Sequence, residues 1–189
     1  MNLKIKLGLT SILLASSLFA GTFNVDPVHS NVAFKVKHMM ISNVTGEFDT
    51  FSGSFQYDEK TKKVTSLNGK VDVSSINTDN VKRDGHLKSA DFFDAAKYPN
   101  ITYKITKIID DEAHGEITIH GITKKVVFDF ENSGMIKDPW GNTRIGLELS
   151  GSISRKAFGL KWNNLLEAGG AIVADKIKLS IELEGVLAK

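Results

Sequence analysis

The histidines are the first residues of this 189-residue sequence that could support catalysis or bind a metal ion. There are five of them: His29, His38, His86, His114 and His120. Zinc proteases carry two histidines four residues apart on one helix face, and no such pair occurs here. A metal site could still be assembled from the distant His29, His38 and His86. We favour the simpler interpretation, in which these histidines form hydrogen bonds at strand ends and turns, and we expect no metal.

A nucleophile is equally hard to find in the sequence. Asp26, His29 and Ser30 contain the residue types of a serine hydrolase triad, but no G-x-S-x-G motif accompanies them. Adjacent residues on a strand also point to opposite faces, so His29 and Ser30 are poorly placed to cooperate. The sequence contains no cysteine, which excludes disulfides, thiolate metal sites and cysteine nucleophiles. We therefore predict no catalytic residues.

The first twenty residues have the pattern of a secretory signal peptide. Two lysines precede an apolar run from Leu7 to Phe19, and the small residue Ala20 follows it. A membrane-spanning helix needs about 20 apolar residues, so this run is too short to span comfortably. We predict cleavage after Ala20, which leaves residues 21–189 as a single domain in the periplasm or outside the cell.

The charge composition argues against a nucleic-acid partner. The sequence has 24 Lys and Arg residues against 22 Asp and Glu residues. Nucleic-acid-binding domains usually show a clear basic excess. Removal of residues 1–20 takes away two lysines, so the mature chain is formally neutral. We expect no nucleic-acid partner.

Along the predicted mature chain, apolar side chains recur at every second position. Val32, Phe34 and Val36 alternate with polar or small residues, as expected for a strand with one buried face. About eight such segments follow one another with short turns and without long helices between them. This pattern favours an all-β fold, either an antiparallel barrel or a sandwich. The alternation changes parity near residues 49–50, which predicts a bulge or bend there.

Two segments interrupt the strand pattern. Residues 80–96 predict one or two short helical turns, with Thr78 as a candidate N-cap. Residues 155–168 form a second short helical or irregular segment with several apolar side chains. Long loops with apolar groups of their own often form the rim or lid of a binding site in a compact domain.

The aromatic residues allow two interpretations. The mature chain has ten phenylalanines, two tryptophans and three tyrosines. They could pack as an ordinary core, or they could form the walls of a cavity. Composition alone does not decide between these possibilities.

Several short strings, in order along the chain, resemble the YceI-like family of bacterial envelope proteins. They lie at 26–39, 44–53, 75–99, 115–123 and 155–160. The resemblance implies an eight-stranded antiparallel, lipocalin-like barrel that encloses an apolar tunnel. It also implies a long-chain amphiphile as ligand, such as an isoprenoid quinone, a polyprenyl chain, or a fatty amide or acid. No covalent cofactor is implied, and a homodimer and transient membrane contact are expected.

The resemblance supplies no catalytic motif, so we predict a carrier and not an enzyme. Two alternatives remain open. The same cavity could house an enzyme that acts on a lipid or quinone head group. The barrel could also be a scaffold for surface interactions.

Inward strand parity, combined with the implied barrel, assigns the candidate binding residues. The tunnel should be lined by Phe34, Val36, Phe48, Phe55, Phe128, Phe130, Leu147 and Leu149. The rim or cap should contain Phe92, Phe93, Phe158, Leu160 and Trp162. A polar group comprises Asn80, Arg83, Asp84, His86 and Arg155. These polar residues either contact the ligand head group at the mouth or form a network that fixes the 78–96 segment to the barrel.

Overall fold

A computed structural model describes residues 20–164 and 171–189 of the chain. Of the predicted signal peptide, all but Ala20 lies outside the described residues. The final part of the second predicted helical segment, 165–168, also lies outside them.

The described chain contains eleven strands and one α-helix. The strands are β1 (Ala20–Val25), β2 (Asn31–His38), β3 (Ser42–Phe48), β4 (Phe51–Asp58), β5 (Lys63–Asp72), β6 (Ile76–Asn77), β7 (Asn100–Ile109), β8 (Glu112–Ile119), β9 (Ile122–Lys137), β10 (Thr143–Ser154) and β11 (Val173–Leu187). Helix α1 spans Val81–Lys88, and single 3-10 turns occur at Val73–Ser75 and Lys156–Phe158. All strand pairs are antiparallel.

Three of the strands are continuations of others, so the sheet is an eight-stranded barrel. β1 and β2 both pair with β11, and they pair in turn with β4 and β3. β6 extends β5 beyond a 3-10 turn and pairs with β3. The pairing of β1 with both β4 and β11 closes the barrel. The predicted lipocalin-like barrel is therefore confirmed.

The predicted parity change corresponds to a break between β3 and β4. Asp49 and Thr50 separate these strands, and the backbone N–H of Asp49 donates to the carbonyl of Ser75 over 3.2 Å. The N–H of Thr50 donates to the Ser75 hydroxyl over 3.0 Å. These hydrogen bonds satisfy the backbone N–H groups at the bend, and the bend lets inward-facing residues on both sides of it point into the same interior.

One end of the barrel is filled by large side chains. The rings of Phe23 and Phe55 stack with their centroids 5.3 Å apart, and Tyr57 meets Phe23 edge-on. Gly185 allows this packing, because a Cβ atom there would lie 2.3 Å from the Phe55 ring. Any interior space must therefore lie toward the other end, where α1 is found.

Helix α1 starts later than the N-cap prediction implies. Asn80 is the N-cap, and its side-chain oxygen accepts from the backbone N–H of Arg83 over 2.9 Å. Thr78, the predicted cap, instead donates its backbone N–H and its hydroxyl to Asp84. Asparagine and threonine are both common N-caps, so the sequence alone could not choose between them.

Candidate ligand-binding cavity

A cavity of about 530 Å³ opens beside α1, where it is bounded by β2, β3 and the start of β11. We call it the mouth. Its apolar wall combines strand and helix residues: Phe34, Val36, Val44, Leu87, Phe92, Trp162, Ile172 and Val173. Its size is within the range of about 300–1,000 Å³ that is usual for small-molecule sites.

Two smaller compartments of about 100 Å³ each follow the mouth toward the centre of the barrel. The middle compartment shares Phe34, Val36, Leu87 and Phe92 with the mouth. The inner compartment shares a further five residues with the middle one: Phe48, Ile101, Ile119, Ile153 and Leu179. Because neighbouring compartments have walls in common, they form a row that extends from the helix into the centre of the barrel.

Aromatic side chains frame this row. At the mouth, the His86 ring meets Phe92 and Trp162 edge-on, with centroids 5.0 and 4.9 Å apart. Deeper in the row, Phe48 lies between Phe34 and Phe93, at 5.7 and 6.3 Å. Aromatic groups combine a large apolar surface with few rotatable bonds, which suits the wall of a cavity for an apolar chain.

The polar side chains at the mouth give it a positive character. Lys37, Lys82 and Arg83 line it together with His38 and His86. Among the described residues that line it, no side chain carries a carboxylate. Charges of one sign around an opening favour ligands or surfaces of the opposite sign.

Arg83 belongs to the mouth and also to a network that anchors α1. Its Nε donates to the Thr78 hydroxyl over 2.7 Å, and its Nη2 donates to the Thr78 carbonyl over 2.6 Å. Asp84 accepts from Thr78, which is itself buried. Asp84 therefore has structural hydrogen bonds, whereas Asn80, Arg83 and His86 combine local hydrogen bonds with a position at the mouth.

Arg155 anchors the cap segment, residues 155–164, to the start of β11. It is 3% exposed and lines the middle compartment. Its guanidinium donates to the carbonyls of Leu160, Trp162, Val173 and Ala174 over 2.6–3.0 Å. Burial lowers its pKa, and the charge of Asp175 acts in the opposite direction.

Five of the eight predicted tunnel residues line the row of compartments, namely Phe34, Val36, Phe48, Phe128 and Leu149. Phe55, Phe130 and Leu147 belong to the main packed cluster with Phe23 and Tyr57 and line none of the three compartments. Inward parity assigns a side chain to the interior of a barrel, but it does not say which depth is filled and which is open.

The predicted rim also divides into two groups. Phe92, Phe93, Leu160 and Trp162 line the mouth or the middle compartment. Phe158 is 1% exposed and packs against Ile117 and Ile119 in a second core cluster. It supports the cap from below and does not form part of the cavity wall.

The candidate triad residues form a different arrangement. His29 Nδ1 lies 2.9 Å from Asp26 Oδ2, but the Ser30 hydroxyl accepts from the backbone N–H of Glu184. Arg144 contacts both Asp26 and Glu184 through Nη1. The guanidinium bridges these two carboxylates, and the Ser30 hydroxyl does not join His29 in a hydrolase triad.

Hydrogen bonds set the protonation states of this charged group. The bond from His29, followed by the bond from Arg144, lowers the pKa of Asp26 to about 2. Arg144 Nε donates to Asp138 over 2.7 Å and holds the pKa of that carboxyl far below its usual value. The group joins the β1–β2 break to β10 and β11, and it has the character of a structural ion-pair network.

Sequence reasoning did not identify Gly69 and Tyr103 as part of the site. Both line the inner compartment and are paired across β5 and β7. The alternation of Ile101, Tyr103 and Ile105 correctly predicts an inward tyrosine. No sequence signal indicates that the space beside it is open.

The fold and the cavity define a lipocalin-like barrel with an apolar interior that is open beside a short helix. A family model described as the YceI-like domain matches residues 23–185. The chain belongs to the YceI-like family, as the sequence motifs predicted.

Individual relatives agree with this assignment. A UPF0312 protein of Staphylococcus aureus is 34% identical over 163 residues, covering 86% of this chain and 95% of the relative. The crystal structure of the Campylobacter jejuni YceI protein has a TM-score of 0.70 and 34% identity, covering 81% and 90% of the two chains. A polyisoprenoid-binding domain from Saccharophagus degradans, implicated in plant cell wall breakdown, has a TM-score of 0.65 at 15% identity, covering 88% and 98%, and therefore supports the fold alone.

Within residues 20–164 and 171–189, no helix is long and apolar enough to cross a membrane.

Proposed function

We propose that this protein is an exported carrier that holds one long-chain amphiphile in its barrel. The observation that carries the proposal is the row of three adjoining compartments, of which the middle and inner ones have almost entirely apolar walls. Each methylene group moved from water into such a wall contributes about 0.8 kcal/mol. A chain of ordinary lipid length therefore needs no catalytic or metal centre to bind tightly.

The ligand class is proposed from two sources of support. The family resemblance points to isoprenoid quinones, polyprenyl chains, and fatty amides or acids. The Saccharophagus degradans neighbour is described as a polyisoprenoid-binding domain. Rigid aromatic walls suit any of these slender chains, so the apolar wall by itself does not distinguish among them.

Solvent extraction of the purified native protein, followed by mass spectrometry, tests the proposal. We expect close to one equivalent of an amphiphilic lipid, which leaves only on denaturation or extraction. A lipid-free protein that also takes up neither a polyprenyl quinone nor a fatty amide would contradict it. Incubation with each lipid also tests the enzyme alternative, because a carrier returns the lipid unchanged.

The scaffold alternative predicts different behaviour. A barrel that only displays its surface would not change in thermal stability when lipid is added. A carrier is stabilised by any ligand that binds the folded state alone, in proportion to ligand concentration over Kd. A lipid-dependent increase in Tm therefore separates the two functions.

Export is supported by the basic and apolar pattern of residues 1–20. Intact-mass measurement of protein from the natural cell should give a chain that starts at or near Gly21. A chain that retains Met1 in the soluble fraction would contradict cleavage. The homodimer implied by the family resemblance remains a proposal, and light scattering of the mature protein tests it.

Transient contact with an anionic membrane is proposed for the turn between β2 and β3. Met39 and Met40 occupy the turn with φ of 47° and 63°, a left-handed geometry that favours Asn-Gly. Met40 is 68% exposed and Ile41 is 82% exposed. Strained backbone that presents apolar side chains to water suggests a function. Lys37, which lies on the mouth beside this turn, supplies a charge that suits anionic lipids.

Vesicle flotation tests the membrane proposal. The wild-type protein should float with phosphatidylglycerol vesicles more than with phosphatidylcholine vesicles. A Met39→Asn, Met40→Gly double variant should lose this binding without a decrease in Tm, because Asn-Gly relieves the turn. Trp140→Ala is the matched control, since Trp140 is 82% exposed in the loop between β9 and β10 and does not line the mouth. Equal flotation of the double variant and the wild type would contradict the proposal.

A further inference from the structure

The hydroxyl of Tyr103 is a polar atom in an otherwise apolar interior. Tyr103 lines the inner compartment and packs against Phe128, with ring centroids 5.4 Å apart. Its hydroxyl oxygen is buried and has no hydrogen-bond partner among the described residues. Burial raises the pKa of Tyr103 to about 12, so the group keeps its proton and remains a donor at neutral pH.

An unsatisfied buried hydroxyl is unusual, because a buried polar group without a partner destabilises the folded protein. Phenylalanine would provide the same ring at this position without that penalty. An isolated water molecule is a poor substitute, since buried waters make about three hydrogen bonds and the wall here is almost entirely apolar. The missing acceptor must therefore come from something else that enters the compartment.

The neighbours of Tyr103 keep the space beside it open. Gly69 lies directly across the β5–β7 pairing from Tyr103, and a Cβ atom at Gly69 would meet no atom within 4 Å. On the other side, Gly115 allows the ring to lie close to β8, because a Cβ there would be 2.6 Å from the tyrosine ring. The tyrosine ring is thus held in position beside the inner compartment.

We propose that Tyr103 donates a hydrogen bond to a carbonyl, amide or hydroxyl oxygen at the inserted end of the ligand. This inference rests on the proposed carrier function and adds an orientation to it. The polar end of the amphiphile enters first and reaches the inner compartment, and its chain extends back through the middle compartment to the mouth. The opposite orientation would place the polar end beside Arg83 and leave the Tyr103 hydroxyl unpaired.

Two probes of equal chain length distinguish these orientations: the C18 primary amide oleamide and the C18 alkene 9-octadecene. Trp162 lies on the mouth and can report binding through its fluorescence. The sequence contains two tryptophans, so a Trp140→Phe background leaves Trp162 as the reporter. Tyr103→Phe and Arg83→Gln are then compared in this background.

We expect Tyr103→Phe to weaken oleamide binding about tenfold, the ratio that one net hydrogen bond supplies. Binding of 9-octadecene should be unchanged or slightly tighter, and the Tm of the lipid-free protein should be unchanged or higher. Arg83→Gln should not alter the preference for oleamide over the alkene.

Other outcomes overturn the inference. If Tyr103→Phe binds both probes like the background protein, the hydroxyl does not contact the ligand. If Arg83→Gln removes the preference for the amide, the polar end lies at the mouth. If the background protein binds neither probe, the carrier proposal fails together with this one, so the two failures are distinguishable.

Discussion

A leucine at Gly69 would test whether ligand occupies the inner compartment. Gly69 lies within β5 and has no positive φ, so a larger residue meets no backbone restriction there. Its Cβ position is open, and the compartment it faces has a volume of about 100 Å³. A Gly69→Leu side chain should enter this compartment and exclude ligand from it.

The size of the effect follows from the volume. Cavity energetics of about 24 cal/mol per Å³ give roughly 2.4 kcal/mol for this compartment. A ligand that can no longer fill it should lose up to about 50-fold in affinity. The leucine itself now occupies the volume, so the Tm of the lipid-free protein should stay the same or rise by up to about 5–10 °C.

Fluorescence titration and thermal melting measure both effects on one sample. The Trp140→Phe background again leaves Trp162 as the reporter of lipid binding. Thr65→Leu is the matched control, because it adds the same side chain at an exposed position of β5 that does not line the compartment. If Gly69→Leu raises Tm but binds a C18 lipid as tightly as the background protein, ligand does not reach the inner compartment. If the control loses affinity equally, the effect does not come from the interior.

Three further predictions concern the cap and the charged network. Phe93→Ala, at a partly buried position that lines the middle compartment, should weaken lipid binding with a smaller decrease in Tm. Phe158→Ala, at a fully packed position outside the cavity wall, should cost about 3–5 kcal/mol in unfolding free energy. Titration and melting of both variants would contradict this if their roles were reversed. Arg155→Gln leaves several buried carbonyls without donors, so Tm should fall by at least about 6 °C, and lipid should dissociate faster. Because the pKa of Asp26 is lowered to about 2, its carboxylate stabilises the fold above about pH 4, and this stabilisation is lost as the pH falls toward 2. Melting curves over this pH range should show a smaller decrease in Tm for Arg144→Gln than for the wild type. An unchanged pH profile in this variant would contradict the network.

Several elements of the fold follow directly from local sequence. The alternation of Val32, Phe34 and Val36 predicts a strand with one buried face, and the parity change near residues 49–50 predicts the break between β3 and β4. These features are local because a strand exposes alternate faces at every second residue, whatever its partners are. The strand pattern alone leaves a barrel and a sandwich open, and the barrel is what the resemblance of the motifs to the YceI-like family implies.

The candidate site was only partly predictable for a physical reason. Phe48 and Phe55 have the same inward orientation, but Phe48 lines the cavity and Phe55 fills the closed end. The difference depends on which side chains from distant strands meet at each depth, such as Phe23 stacking on Phe55. Packing of this kind has no local signature.

The sequence by itself determined the all-β class, the family and the inward face of most strands, because side-chain alternation and turn residues act over short distances. Only the tertiary structure decided where the barrel is open. Gly69 and Tyr103 are 34 positions apart in the sequence, and only the β5–β7 pairing places an absent side chain opposite a buried hydroxyl. A binding site of this type is an unfilled volume, and its position depends on where the side chains of neighbouring strands leave space between them.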